Sequence, residues 1–140
     1  MIDGTYTLAK NAWVGTNAAL VVRKDDLEPQ AVTERLGVTP TGTRMPGPDR
    51  WRPGGDEAGL WLFECHETRK SLPEQVDEVL DAFTAKADEL RALVDEGYNV
   101  TLTLFGFVGD GSVVELSSEA TARIASLGIP LEVGISTSER

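Results

Sequence analysis

The sequence predicts a mixed α+β fold, a mostly antiparallel sheet with helices on one face, and three features carry that prediction. Val76, Val79, Leu80, Phe83, Ala87, Leu90 and Val94 recur at three- and four-residue spacing and form one apolar stripe along a helix. From Tyr98 to Phe107 the residues alternate, with Asn99, Thr101 and Thr103 set against Val100, Leu102 and Leu104, as in a strand with two unlike faces. From Leu60 to Ser136 the elements then read strand, helix, strand, strand, helix, strand. That is the order of a ferredoxin-like two-layer sandwich, to which Ala18–Gly37 adds an N-terminal strand and helix.

Taken in order, residues 1–17 form an N-terminal extension without a clear assignment, although Thr5–Leu8 could pair as a short strand. Ala18–Arg23 is an apolar strand. Asp25-Asp26-Leu27-Glu28-Pro29 opens a helix that closes at Gly37, where glycine accepts the left-handed conformation. Thr39–Gly59 holds four of the seven prolines and five glycines, so no long regular element fits there. Leu60–Glu64 reads as a central strand. Ser71 and Glu74 have capping-box spacing at the head of the striped helix, which Gly97 ends. Gly109-Asp110-Gly111-Ser112 predicts a hairpin turn into a strand at Val113–Leu116. A third helix is capped by Ser117 or Ser118 and ends at Gly128, Pro130–Ser136 is the last strand, and residues 137–140 are a tail. Residues 18–136 thus make one domain. Leu60, Leu62, Val100, Leu102, Leu104 and Leu131 should share a sheet beneath the Val76–Val94 stripe.

The formal net charge of −10 argues against nucleic acid or an anionic membrane as a partner and favours a basic protein surface. No run approaches the roughly 18 apolar residues of a membrane span. Met1-Ile2-Asp3-Gly4 lacks the basic and apolar regions of a signal peptide, so a cytoplasmic protein is expected. Cys65 is the only cysteine and His66 the only histidine, which leaves no internal disulfide, no cysteine- or histidine-rich metal site and no expected cofactor. Side chains adjacent on a strand point to opposite faces, so Cys65 and His66 are not expected to act together as a nucleophile and base. The inventory favours a non-enzymatic chain.

Two surfaces remain as candidates. The striped helix carries an acidic outer face of Glu74, Asp77, Glu78, Asp81, Asp88, Glu89, Asp95 and Glu96 against Lys86 and Arg91. This is either a solvated face or a landing strip for a basic protein. The irregular segment concentrates Arg44, Arg50 and Arg52 around Trp51, opposed only by Asp49. Arginines flanking a tryptophan suit an anion, a carboxylate or a protein surface. Otherwise Trp51 tucks under the sheet edge while the arginines answer the acidic helices.

Asp25-Asp26-Leu27-Glu28-Pro29, Leu36-Gly37-Val38-Thr39-Pro40-Thr41 and Gly59-Leu60-Trp61 resemble the bacterial family known as domain of unknown function 4279. Ala87-Asp88-Glu89-Leu90, Gly97-Tyr98 and Leu127-Gly128-Ile129-Pro130-Leu131 extend the resemblance over about 18–135. It implies a small uncharacterised domain and brings no catalytic residues with it. The expected role is a binding module for a protein partner, with an immunity-type protein that covers a toxin as one concrete version. The alternative is a small-molecule or anion site, for binding or for catalysis, on loop 42–55 with Trp51 or Trp61 as a stacking wall.

Overall fold

In the computed structural model, which describes residues 13–48, 56–67, 69–109 and 112–137, an eleven-residue strand lies at the centre of the sheet. This is β1 (Val14–Lys24), whose Ala18, Leu20 and Val22 alternate onto one buried face. It leads through a turn into α1 (Pro29–Leu36), where Pro29 occupies the first turn and Gly37 closes the helix at φ 67°. Three short strands follow, β2 (Gly42–Arg44), β3 (Gly47–Pro48) and β4 (Asp56–Glu57), and then β5 (Gly59–Cys65). The helices α2 (Leu72–Phe83) and α3 (Ala87–Asp95) come next, then β6 (Asn99–Phe107), α4 (Ser118–Leu127) and β7 (Leu131–Ser136).

The main sheet has the order β2-β5-β1-β6-β7, antiparallel except for the parallel β6–β7 pair, and β3 pairs with β4 in a separate two-stranded ladder. The register sets Val22 beside Trp61 and Val100, Leu20 beside Phe63 and Leu102, and Ala18 beside Cys65 and Leu104. These side chains share one face with Val32 and Leu36 of α1, Val76, Val79, Leu80 and Phe83 of α2, Leu90 and Leu93 of α3, and Ile124 and Leu127 of α4. The result is a two-layer α+β domain with one core.

The ferredoxin-like order is not the one found. β5 and β6 are parallel, joined through α2 and α3, and β1 fills the gap between them, so the strand read as an addition is the centre of the sheet. The expected hairpin also fails, since Val113–Leu116 forms no strand beyond a bridge at Val113. β6 is already flanked by β1 and β7 and has no free side for a hairpin partner.

Two further expectations change. Leu60 and Leu62 lie in the sheet but face away from the helices, because Trp61 takes the inward position opposite Val22. Leu131 also lies in the sheet but is 44% exposed. The striped helix is two helices joined by a 3₁₀ turn at Thr84–Lys86, where Thr84 Oγ1 donates to the Leu80 carbonyl at 2.6 Å. A 3₁₀ turn advances faster around the axis than an α-helical one, which re-phases the stripe. Leu93 therefore points inward and Val94 outward.

The capping box forms as read: Glu74 N–H donates to Ser71 Oγ and Ser71 N–H to Glu74 Oε1. Ser117 caps α4, and Gly128 closes it at φ 71°. Gly59 has a reason beyond turn chemistry, because a Cβ there would stand 2.6 Å from the Leu27 carbonyl oxygen. Thr5–Leu8 lies outside the described residues. Among the described residues no helix is long and apolar enough to cross a membrane.

Candidate functional site

Of the segment expected to border a site, Gly42–Arg44 is tied to the sheet edge. Thr41 N–H donates to the Leu62 carbonyl at 2.9 Å, and Thr41 Oγ1 accepts from Glu64 N–H at 2.9 Å. These bonds seat β2 on β5 and place Arg44 over the strand start. Arg44 Nε and Nη2 donate to the Ala58 carbonyl at 3.2 and 3.0 Å, and Nε lies 3.1 Å from Glu57 Oε1. Its fork is thus committed within the chain. Arg50, Trp51 and Arg52 lie outside the described residues.

Trp61 is not a stacking wall. It is fully buried, its indole N–H donates to Thr33 Oγ1 at 3.0 Å, and its ring meets Phe83 edge-on at 6.2 Å. A buried tryptophan needs a partner for its N–H, and α1 supplies one from inside the domain. Trp61 thereby docks α1 onto β5, with no face left open to a ligand.

Cys65 is the last residue of β5 and His66 the first beyond it. Cys65 is buried on the helix-facing side, and burial pushes its thiol above the ordinary range, which disfavours the thiolate. His66 is exposed and lies 3.9 Å from Glu64. Glu64, Cys65, His66, Glu67 and Glu78 line an open depression at this end of the sheet, where Lys70 pairs with Glu78. Among the described residues no group of three or more His, Cys, Asp or Glu side chains is placed to hold a metal.

The acidic helix face is present and partly answered. All eight carboxylates are exposed. Arg123 of α4 reaches Asp81 at 2.7 Å and Asp77 at 3.9 Å, and Arg91 pairs with Asp88. Arg35 of α1 holds Glu96 with both arms, at 2.6 and 2.9 Å. These pairs bind α1 and α4 to the central helices, so part of the charge is structural. Glu89 and Asp95 have no ion pair among the described residues.

Arg35 holds the Glu96 carboxyl below the usual carboxylate range. A depressed carboxylate contributes stability above its unfolded pKa and loses it as pH falls through the folded one. A double-mutant cycle of Arg35→Met and Glu96→Gln should therefore show favourable coupling near neutrality. At a pH below the depressed value the coupling should vanish. Coupling that is unchanged in acid would mean that the pair acts by packing alone.

Sequence reasoning missed two positions. Gln75, on the inward side of α2, is a buried polar residue, with Nε2 donating to the carbonyls of Thr16 and Glu67 and Oε1 accepting from Thr16 Oγ1. A lone glutamine in an acidic helix gives no signal of this. The second is a depression lined by Arg23, Lys24, Asp25, Ala58, Gly97 and Asn99, where Lys24 pairs with Asp26 and lies 5.5 Å from the Tyr98 ring centre. The charge run at 23–26 was its only trace in the sequence.

Fold and surface together define a small two-layer α+β domain with a buried thiol and an acidic helical face. The family described as a domain of unknown function (DUF4279) matches residues 14–138, and the chain belongs to that family. No curated protein and no solved structure matches it. The match begins where β1 begins, at Val14, rather than at Ala18. Three of the residues that carry the resemblance have structural work: Thr41 seats β2, Gly59 clears Leu27 and Trp61 anchors α1.

Proposed function

We propose that this domain is a non-enzymatic, cytoplasmic binding module whose partner is a protein with a basic surface, received on the outer face of α2 and α3. The observation that carries this reading is the exposure of all eight carboxylates from Glu74 to Glu96 on one side of the helical layer. Such a face steers a cationic partner and raises its association rate. An immunity-type protein that covers a basic toxin is one concrete form. The competing anion site on residues 42–55 is the weaker reading, because Arg44 is committed to Ala58 and Glu57 and Trp61 is closed in the core.

The test is titration of the protein against a panel of small basic proteins and small anions at several salt concentrations. Asp88→Asn, Glu89→Gln and Asp95→Asn are combined in the variant because none of the three caps a helix or joins one helix to another. Salt-sensitive binding to a basic protein is expected, weakened roughly tenfold in the variant at unchanged Tm. Equal binding by the variant would remove the acidic face from the account. Saturable anion binding abolished by Arg50→Gln with Arg52→Gln would move the function to the loop.

A further inference from the structure

The two edges of the main sheet differ. At one end β2 is three residues long, with Pro40 before it, Pro46 after it and Arg44 within it. Short length, proline and charge are the usual protections of a strand edge. At the other end β7 is six residues long, and Glu132 is its only charged residue. Its pairing with β6 sets Leu131 beside Leu102, Val133 beside Leu104 and Ile135 beside Gly106, so all three apolar residues lie on the helix-bearing face. They are nevertheless 44%, 53% and 56% exposed. The cause lies in α4, which packs toward α2 and α3 and is held there by the Arg123 pairs with Asp77 and Asp81. The side of α4 away from Arg123 presents Thr121 and Ala125, both exposed, small and uncharged.

We propose that β7 is the surface through which two copies of this chain pair, antiparallel about a two-fold axis at Val133. Both the sequence of the strand and its charge favour a second copy. In that register Val133 faces its own counterpart, and Leu131 and Ile135 face each other twice, giving three apolar cross-strand pairs on the helix side. On the opposite side Glu132 faces Gly134, so the two carboxylates sit on a diagonal rather than directly opposed. A basic partner is drawn to the acidic faces of α2 and α3, whereas the strip of β7 and α4 is where two chains of net charge −10 approach with least repulsion. Pairing extends the sheet to ten strands and brings the Thr121–Ala125 flanks of the two α4 helices over the apolar stripe. The dimer surface is separate from the acidic face, so either proposal can fail without the other.

The experiment is sedimentation velocity over a concentration series of the full chain, Val133→Asp and Val133→Cys. The full chain should reach dimer mass as concentration rises. Val133→Asp should weaken dimerisation at least tenfold while keeping the far-ultraviolet circular dichroism of the parent, since it alters an exposed side chain. Under mild oxidation Val133→Cys should form a disulfide-linked dimer absent from the parent, whose one cysteine is buried. Leu131→Cys and Ile135→Cys, mixed in equal amounts, should link to each other in preference to themselves. A full chain that stays monomeric throughout, or a dimer indifferent to Val133→Asp, would overturn the proposal. Cross-linking stronger within Leu131→Cys alone than in the mixture would overturn the register.

Discussion

Replacing Phe83 by alanine should cost about 3–5 kcal/mol of stability and lower Tm by roughly 10–15 °C. Phe83 is the last residue of α2 and is fully buried. Its ring meets Trp61 edge-on at 6.2 Å and Phe63 at 5.5 Å, so one side chain joins α2 to the inward row of β5. Truncation removes the buried ring and both edge-to-face contacts, and leaves a cavity beside Trp61 and Phe63. The matched control is Val94→Ala. Both residues belong to the stripe visible in the sequence, yet Val94 is 41% exposed after the 3₁₀ turn, so its loss should change stability by less than about 0.5 kcal/mol. Urea denaturation of the two variants separates them. Equal costs would mean that the stripe runs unbroken through Thr84–Lys86 and that the phase shift is wrong.

The contrast between Phe83 and Val94 marks what the sequence could and could not say. Periodicity located the helices, their caps and their glycine stops, because these depend on neighbours within a turn: Ser71 with Glu74, Gly37 after Leu36, Gly128 after Leu127. It could not see the 3₁₀ turn, since Thr-Ala-Lys carries no proline or glycine to mark it. Strand order was still less legible. The apolar run at Ala18–Arg23 suits an edge or a centre equally, and its central place is decided by pairing with residues about forty and eighty positions away. The same limit misplaced Trp61. In an almost wholly apolar strand nothing local says which face is inward, and only Thr33 on α1, waiting for the indole N–H, settles it. At the candidate site, the acidic face was readable because it follows helical spacing. The committed state of Arg44 was not, because Ala58 and Glu57 reach it by a chain reversal.

Gln75→Leu should cost about 2–4 kcal/mol although leucine is close to glutamine in size. Gln75 is 1% exposed, and its amide bonds to Thr16, 59 positions away, and to Glu67, eight positions away. Its amide nitrogen donates to the Thr16 carbonyl at 3.1 Å and the Glu67 carbonyl at 3.0 Å, and its oxygen accepts from Thr16 Oγ1 at 2.8 Å. The first two bonds matter most. Thr16 lies where the pairing of β1 with β6 shifts register between Val14 and Asn17, and Glu67 lies just past the end of β5. The glutamine supplies a donor to the Thr16 carbonyl at the register shift, and a second one to the Glu67 carbonyl beside Lys70 N–H. Leucine fills the space but leaves the Thr16 carbonyl without this donor, a desolvation cost of about 1–3 kcal/mol, and leaves the Glu67 carbonyl with Lys70 N–H alone, at 3.0 Å. Gln75→Glu tests whether donation, rather than shape, is what counts. A carboxylate there faces two carbonyl oxygens and is held protonated in the folded state, so its pKa is raised on folding. Stability tied to a raised pKa is present at low pH and lost as pH rises through the folded value. Relative to the parent, Gln75→Glu should therefore gain stability as the solution is acidified, while Gln75→Leu should not change its deficit. If both variants melt with the parent near neutrality, the three hydrogen bonds contribute nothing net. The β1 bulge would then be held by packing of the flanking strands alone.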